Sequence, residues 1–183
     1  MACNATLREG AGAPAETALI AADAGDPASL KAMVDQTRMV LSTVGPYQLY
    51  GSELVAACAA SGTDYLDLCG EPVWMRQMID AHQATAQSSG ARIVFSCGFD
   101  SLPFELGVFF VQETAKQMLG APVSRVKGRV RSMKGTFSGG TAARIKATFA
   151  AAAQDLSLVA LMRTPFELTA GFDGFIHVVS KYA

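Results

Sequence analysis

The sequence has no Cys-x-x-Cys pair among its four cysteines (Cys3, Cys58, Cys69, Cys97) and only two histidines, so neither a zinc site nor a disulfide framework is signalled. It has no excess of either charge: 15 basic against 16 acidic residues leave a formal net charge of −1, which offers no electrostatic footprint for nucleic acid or an anionic membrane. Long apolar runs are missing as well. The most apolar stretches, around Leu106–Val111 and Ala147–Ala153, are broken by Glu105, Gln112, Lys146 and Gln154 well short of a membrane span. Residues Met1–Ala15 lack the continuous apolar core of a signal peptide. These absences point to a cytoplasmic chain with no integral membrane segment, bound metal or nucleic-acid partner, acting on a small molecule.

What is present is an alternation. With 183 residues, half of them apolar, the chain can bury one sizeable core, or one domain and the start of a second. Ala18–Ala22 reads as a short buried strand ending at Asp23. Asp26-Pro27 then opens a helix to about Gln36, with Asp26 as N-cap and proline where its missing N–H costs nothing. Arg38–Thr43 is the next strand, Gly51–Ser61 a helix closed by Gly62, Thr63–Leu68 a strand, Pro72–Ser89 a longer helix, and Ala91–Cys97 a strand. Short apolar strands separated by amphipathic helices predict an α/β fold with a parallel sheet. After a helix at Pro103–Leu119 the pattern changes. Arg125, Lys127, Arg129 and Arg131 alternate with Val126, Gly128, Val130 and Ser132, a period of two that predicts a strand wet on one face. The expected division is residues 1–120 as a partial dinucleotide-binding domain and 121–183 as the start of an α+β, mixed-sheet domain. The latter would hold an Ala-rich helix at Ser138–Gln154, a short helix at Leu156–Met162 and a strand at Phe175–Val179.

Ligands of open parallel sheets bind at the carboxyl ends of the strands, and the distinctive segments fall there. They are TVGPYQLYG (Thr43–Gly51), DLCGEP (Asp67–Pro72) and CGFDSLP (Cys97–Pro103). In this order and spacing, together with SGGT at Ser138–Thr141 and RTPFELTAG at Arg163–Gly171, the chain resembles the saccharopine dehydrogenase-like family, including its trans-acting enoyl reductase branch. The resemblance runs from about Leu19 to Gly174. It implies a Rossmann-like domain binding NADP or NAD, and a hydride transfer to or from a small carbonyl, imine or enoyl substrate. By resemblance, Asp23 would lie near the adenine, and Thr43, Val44, Gly45 and Pro46 would pass along the ribose and pyrophosphate edge. Tyr47 would reach toward the nicotinamide, Gly98, Phe99 and Asp100 would border it, and Glu71 would face substrate. Tyr47, Glu71 and Asp100 are the candidate catalytic groups.

One family feature is missing. Such proteins begin with a strand and a glycine-rich turn that cradles the pyrophosphate. Here the early glycines, Gly10 and Gly12, follow no strand and lead into Pro14. The expectation is an N-terminally truncated, incomplete Rossmann-like sheet with weak dinucleotide binding. Two strands that would lie between Ala18–Ala22 and Arg38–Thr43 are absent, leaving a sheet edge through which the chain could instead act as a non-catalytic interaction module or homo-oligomer.

Several residues carry two readings. Gly45-Pro46-Tyr47 fits a plain strand-to-helix turn as well as a cofactor loop. Asp67 and Glu71 fit paired acid–base carboxylates, while an Asp at a strand end is also a common turn or helix-cap residue. Cys97 fits a nucleophile activated by a helix N-terminus, or a small buried side chain with no base beside it. His82 and His177 read as ordinary histidines without a second metal ligand. The Arg125–Arg131 stripe fits an acidic-ligand site or a solvated face. Ser138–Thr141 fits an anion site or a helix cap.

Overall fold

The computed structural model describes residues 18–132 together with 134, 135, 139, 146, 149, 150 and 168. Helix α1 (Pro27–Val34) starts as the sequence dictates: the Asp26 carboxylate accepts the Ala28 N–H at 3.0 Å, a cap that contributes about 1 kcal/mol. Leu30 and Val34 turn inward from it. The chain continues through β1 (Met39–Ser42), a single helical turn α2 (Tyr47–Tyr50), α3 (Ser52–Ser61), β2 (Asp64–Asp67), α4 (Pro72–Ser89), β3 (Ile93–Val94) and α5 (Leu102–Leu119). Gly62 closes α3 with φ +73°, a left-handed conformation open to glycine, and a Cβ there would stand 3.0 Å from the Ser89 carbonyl oxygen at the end of α4.

The three strands form one parallel sheet in the order β1-β2-β3. The register sets Val40, Tyr65 and Ile93 in one row and Leu41, Leu66 and Val94 in the next, so the two rows face opposite sides. The first row packs on the helices. Helix α3 lies against both α1 and α4, and the core they enclose with the sheet contains Val34, Tyr47, Val55, Cys58, Tyr65, Trp74 and Met75. On the other side Met39, Leu41 and Val94 are exposed. The fold is therefore α/β, a small Rossmann-like parallel sheet with helices.

Three expectations need correction. Ala18–Ala22 is not a strand: all five residues are exposed and unpaired, because among the described residues nothing lies beside the free edge of β1 to share a ladder. Arg125–Ser132 forms no strand either. The Gln112 side chain binds both backbone groups of Val123 at 2.9 Å, and Gly128 lies beside Phe104, so this segment runs back along α5 as irregular chain with its basic side chains in solvent. The strand expected over Ala91–Cys97 is cut to Ile93–Val94, since Ser96 takes φ +60° and leaves the extended region. The helices expected over Ser138–Gln154 and Leu156–Met162, the strand at Phe175–Val179, and His177 lie largely or wholly outside the described residues.

Candidate functional site

Three loops leave the carboxyl ends of the strands, and buried hydrogen bonds tie them together. After β1, Gly45-Pro46 is a cis peptide, and the chain turns into α2. The Glu71 carboxylate, from the loop after β2, accepts the Tyr47 N–H at 3.0 Å and the Gln48 N–H at 2.9 Å, occupying the N-terminus of α2. The Tyr47 hydroxyl donates to the Ser42 carbonyl at 3.0 Å and accepts the Leu68 N–H at 3.2 Å. Burial pushes that phenol above its usual range. Trp74, from α4, packs on the Tyr47 ring with centroids 5.6 Å apart, and its indole N–H donates to Ser52 at 2.9 Å. Gly51 makes the fit possible: a Cβ there would sit 2.7 Å from the Trp74 ring and 2.9 Å from the Tyr47 carbonyl.

Asp67 ends β2 and joins the second loop to the third. Fully buried, it accepts the Cys69 N–H (2.9 Å) and the Ser96 N–H (2.8 Å) on one oxygen and the Tyr65 hydroxyl (3.0 Å) on the other. Desolvation raises its pKa, opposed by these donors. The Asp67 carbonyl takes the Cys97 N–H at 2.6 Å, and the Ser96 hydroxyl donates to the Cys69 carbonyl at 2.7 Å. Ser96 is the one non-glycine residue with positive φ among the described residues, a conformation that costs an L-residue roughly 1 kcal/mol. Gly98 then lies against Leu68, where an added Cβ would stand 3.6 Å from Leu68 Cδ2 and 3.1 Å from Asp100 Oδ1.

The rim these loops make presents Thr43, Val44 and Gly45 on one side and Phe99 and Asp100 on the other, all exposed, with Pro46 and Gly98 half-buried between. Phe99 is 79% exposed. Two residues expected to reach a ligand are buried. Glu71 is 3% exposed with both oxygens engaged as a helix cap, and Tyr47 is 5% exposed with its hydroxyl held inside the rim. A carboxylate is a good partner for free N–H groups at a helix start, and that demand outweighs exposure to a substrate. Asp23 is exposed and spends its side chain on its own turn, accepting the Gly25 N–H at 2.9 Å. The Cys97 thiol is raised by burial and directed at the Val94 carbonyl, which leaves it a poor nucleophile. His82 lies elsewhere, in a groove of about 370 Å³ between α4 and β3 with Met78, Arg92 and Phe95. Among the described residues no cluster of His, Cys, Asp and Glu is arranged to hold a metal, and no helix is long and apolar enough to cross a membrane.

Sequence reasoning passed over Ser96 and Gln48. Nothing in a serine foretells a left-handed backbone, and Gln48, whose Nε2 is buried with no hydrogen-bond partner, looks like an ordinary helix residue. The rim tests which part of a dinucleotide it suits. Both N–H groups at the start of α2 are already capped by Glu71, so that helix offers nothing to a pyrophosphate. The backbone at Thr43–Gly45 and at Phe99 is exposed, with Pro46 and Gly98 half-buried beside it.

Comparison with known proteins agrees with this fold. Residues 4–94 match the family described as the saccharopine dehydrogenase NADP binding domain. A Mycobacterium tuberculosis protein provisionally named a trans-acting enoyl reductase is 43% identical over 164 residues, covering 89% of this chain and 39% of that protein. Trans-acting enoyl reductases of Mycobacterium ulcerans and Mycobacterium leprae are 40% and 39% identical, over 82% and 85% of this chain and 36% and 37% of their own lengths. The chain thus spans under two-fifths of these curated relatives. No solved structure gives a significant match. The chain belongs to the saccharopine dehydrogenase-like family.

Proposed function

We propose that this chain supplies the nicotinamide-side cofactor rim of an NADP- or NAD-dependent oxidoreductase that reduces an enoyl group or a similar small acceptor. The observation that carries the reading is the joining of all three strand-end loops, Tyr47 to Glu71 and Asp67 to Ser96, at the edge where open parallel sheets hold nucleotides. The substrate class comes from the names of the relatives. Thr43, Val44, Gly45 and Pro46 would line one side of the cofactor, and Gly98 and Phe99 the other. When bound, the nicotinamide supplies the hydride. The chain's own residues orient it: Glu71 and Tyr47 brace the first loop from inside, and Asp100 is the exposed carboxylate left to meet a ligand. Asp23 would touch the adenine end. Binding is expected to be weak, because the described residues offer the pyrophosphate no free helix N-terminus at the first loop and the sequence has no glycine-rich turn.

Titration of the ¹⁵N-labelled chain with NADPH and with NADH tests this. Amide shifts clustered on Thr43–Tyr47 and Gly98–Asp100, with an affinity weaker than micromolar, are the expected result. No shift at millimolar dinucleotide overturns the cofactor reading, and micromolar affinity overturns the argument for weakness.

A second reading rests on a separate observation. Met39, Leu41 and Val94 on the open sheet face, and Leu106, Phe109 and Phe110 on α5, leave much apolar surface exposed. An interaction module or homo-oligomer would cover it. Light scattering showing a monodisperse monomer at high micromolar concentration would count decisively against this reading.

A further inference from the structure

We infer that Asp67 is the positioning residue of the rim: its carboxylate and its own carbonyl together hold Ser96 and Cys97 in the conformation that lays Gly98 against Leu68 and so places Phe99 and Asp100. The functional half of this inference rests on the cofactor reading above.

The starting point is the backbone outlier. The apolar run Ala91–Cys97 favours a strand throughout, yet β3 stops at Val94 and Ser96 turns left-handed at φ +60°. A residue with a Cβ holds such a conformation only when its surroundings over-determine it. Here the surroundings are one short segment. Asp67 Oδ1 takes the Ser96 N–H, the Asp67 carbonyl takes the Cys97 N–H, and the Cys69 carbonyl takes the Ser96 hydroxyl. The carboxylate is itself aimed from behind, with the Tyr65 hydroxyl on Oδ2 and the Cys69 N–H on Oδ1. With three donors and no exposure, Asp67 cannot touch a ligand and acts through Ser96 and Cys97. Releasing the grip would let the chain relax into the extended form its sequence prefers, lengthening β3 and carrying Gly98–Asp100 away from Leu68.

Two substitutions at Asp67 separate positioning from bulk stability. Asp67→Asn keeps an oxygen for the Ser96 and Cys69 N–H groups and an amide that can donate to Tyr65, whereas Asp67→Ala removes both acceptor oxygens and leaves the three donors without them. In the full chain, Ser96 ¹³Cα and ¹³Cβ shifts report its φ directly. Expected are a left-handed signature in the parent and in Asp67→Asn, an extended signature in Asp67→Ala, and NADPH affinity about tenfold weaker in the alanine variant only. An alanine variant that keeps the left-handed signature, or that binds NADPH as the parent does, overturns the inference. If Asp67→Ala does not fold, Ser96→Gly and Ser96→Val decide instead. Glycine accepts positive φ and retains the turn, and a β-branched side chain opposes it. A valine variant with parental shifts at Gly98 and Phe99 overturns the inference equally. Should the parent show no response to dinucleotide, the cofactor reading falls, and the shifts at residue 96 still settle whether Asp67 sets the turn.

Discussion

The Glu71 carboxylate and the Tyr47 backbone N–H, 24 residues apart in the chain, meet at 3.0 Å inside the protein, and this contact holds the loop after β1 to the loop after β2. Since the same carboxylate also takes the Gln48 N–H, Glu71 serves as a helix cap delivered from a neighbouring loop.

Removing it should therefore cost stability before it costs chemistry. Glu71→Ala leaves the buried Tyr47 N–H and the half-buried Gln48 N–H without an acceptor, and a loss of roughly 2–3 kcal/mol in urea unfolding is expected. Glu71→Gln retains one good acceptor and should lose about half as much. An alanine variant as stable as the parent would show that the cap contributes nothing.

Gly51 is expected to be intolerant for a reason unrelated to its backbone angles. The alanine methyl would press on the Trp74 ring at 2.7 Å and on the Tyr47 carbonyl at 2.9 Å, and the carbonyl cannot swing aside as a flexible side chain would. Overpacking of this kind costs about 1–3 kcal/mol, measurable as a lowered melting temperature.

Asp67 makes a prediction about pH. Burial sets its folded pKa above the ordinary 3.8, so the folded state keeps a proton that the unfolded chain releases. The stability it contributes is fully present below the unfolded value and is lost as pH rises through the raised folded value. Asp67→Asn removes that dependence. Plotted against pH, parent stability minus asparagine-variant stability should be greatest at the acid end and fall on the way to neutrality. A difference that grows with pH would contradict the sign.

The thiols should sort by burial. Cys58 is enclosed in the core, with its pKa pushed up to about 12, and should resist a disulfide reagent at pH 8 until the chain unfolds. Among the cysteines of the described residues, Cys97, partly exposed, should react first. Replacing Cys97 by alanine should leave dinucleotide binding and any reductase activity intact, and loss of activity would revive the nucleophile reading.

The elements that were legible in the sequence are those set by local chemistry. Asp26-Pro27 and Gly62 mark helix ends whose signals need no distant partner, and α4 spans Pro72–Ser89 between its proline and Gly90 as the punctuation indicates. What could not be read depends on neighbours. Ala18–Ala22 has strand-like composition but no ladder to join among the described residues. Ser96 owes its conformation to Asp67, 29 residues earlier. The candidate site was legible as three loops at one sheet edge, while the inward orientation of Tyr47 and Glu71 was not, because a carboxylate motif looks alike whether it faces solvent or a helix start.

Trp74 is the single tryptophan of the chain, and its indole touches a ring from each side: Tyr47, which follows β1, and Phe95, which follows β3 at a centroid distance of 5.5 Å, while Trp74 itself follows β2. One fluorophore thus reports from the junction of all three loops, with no second indole to dilute its emission. Any rearrangement of the rim, whether by ligand, acid or substitution, has an optical signature already built into the chain.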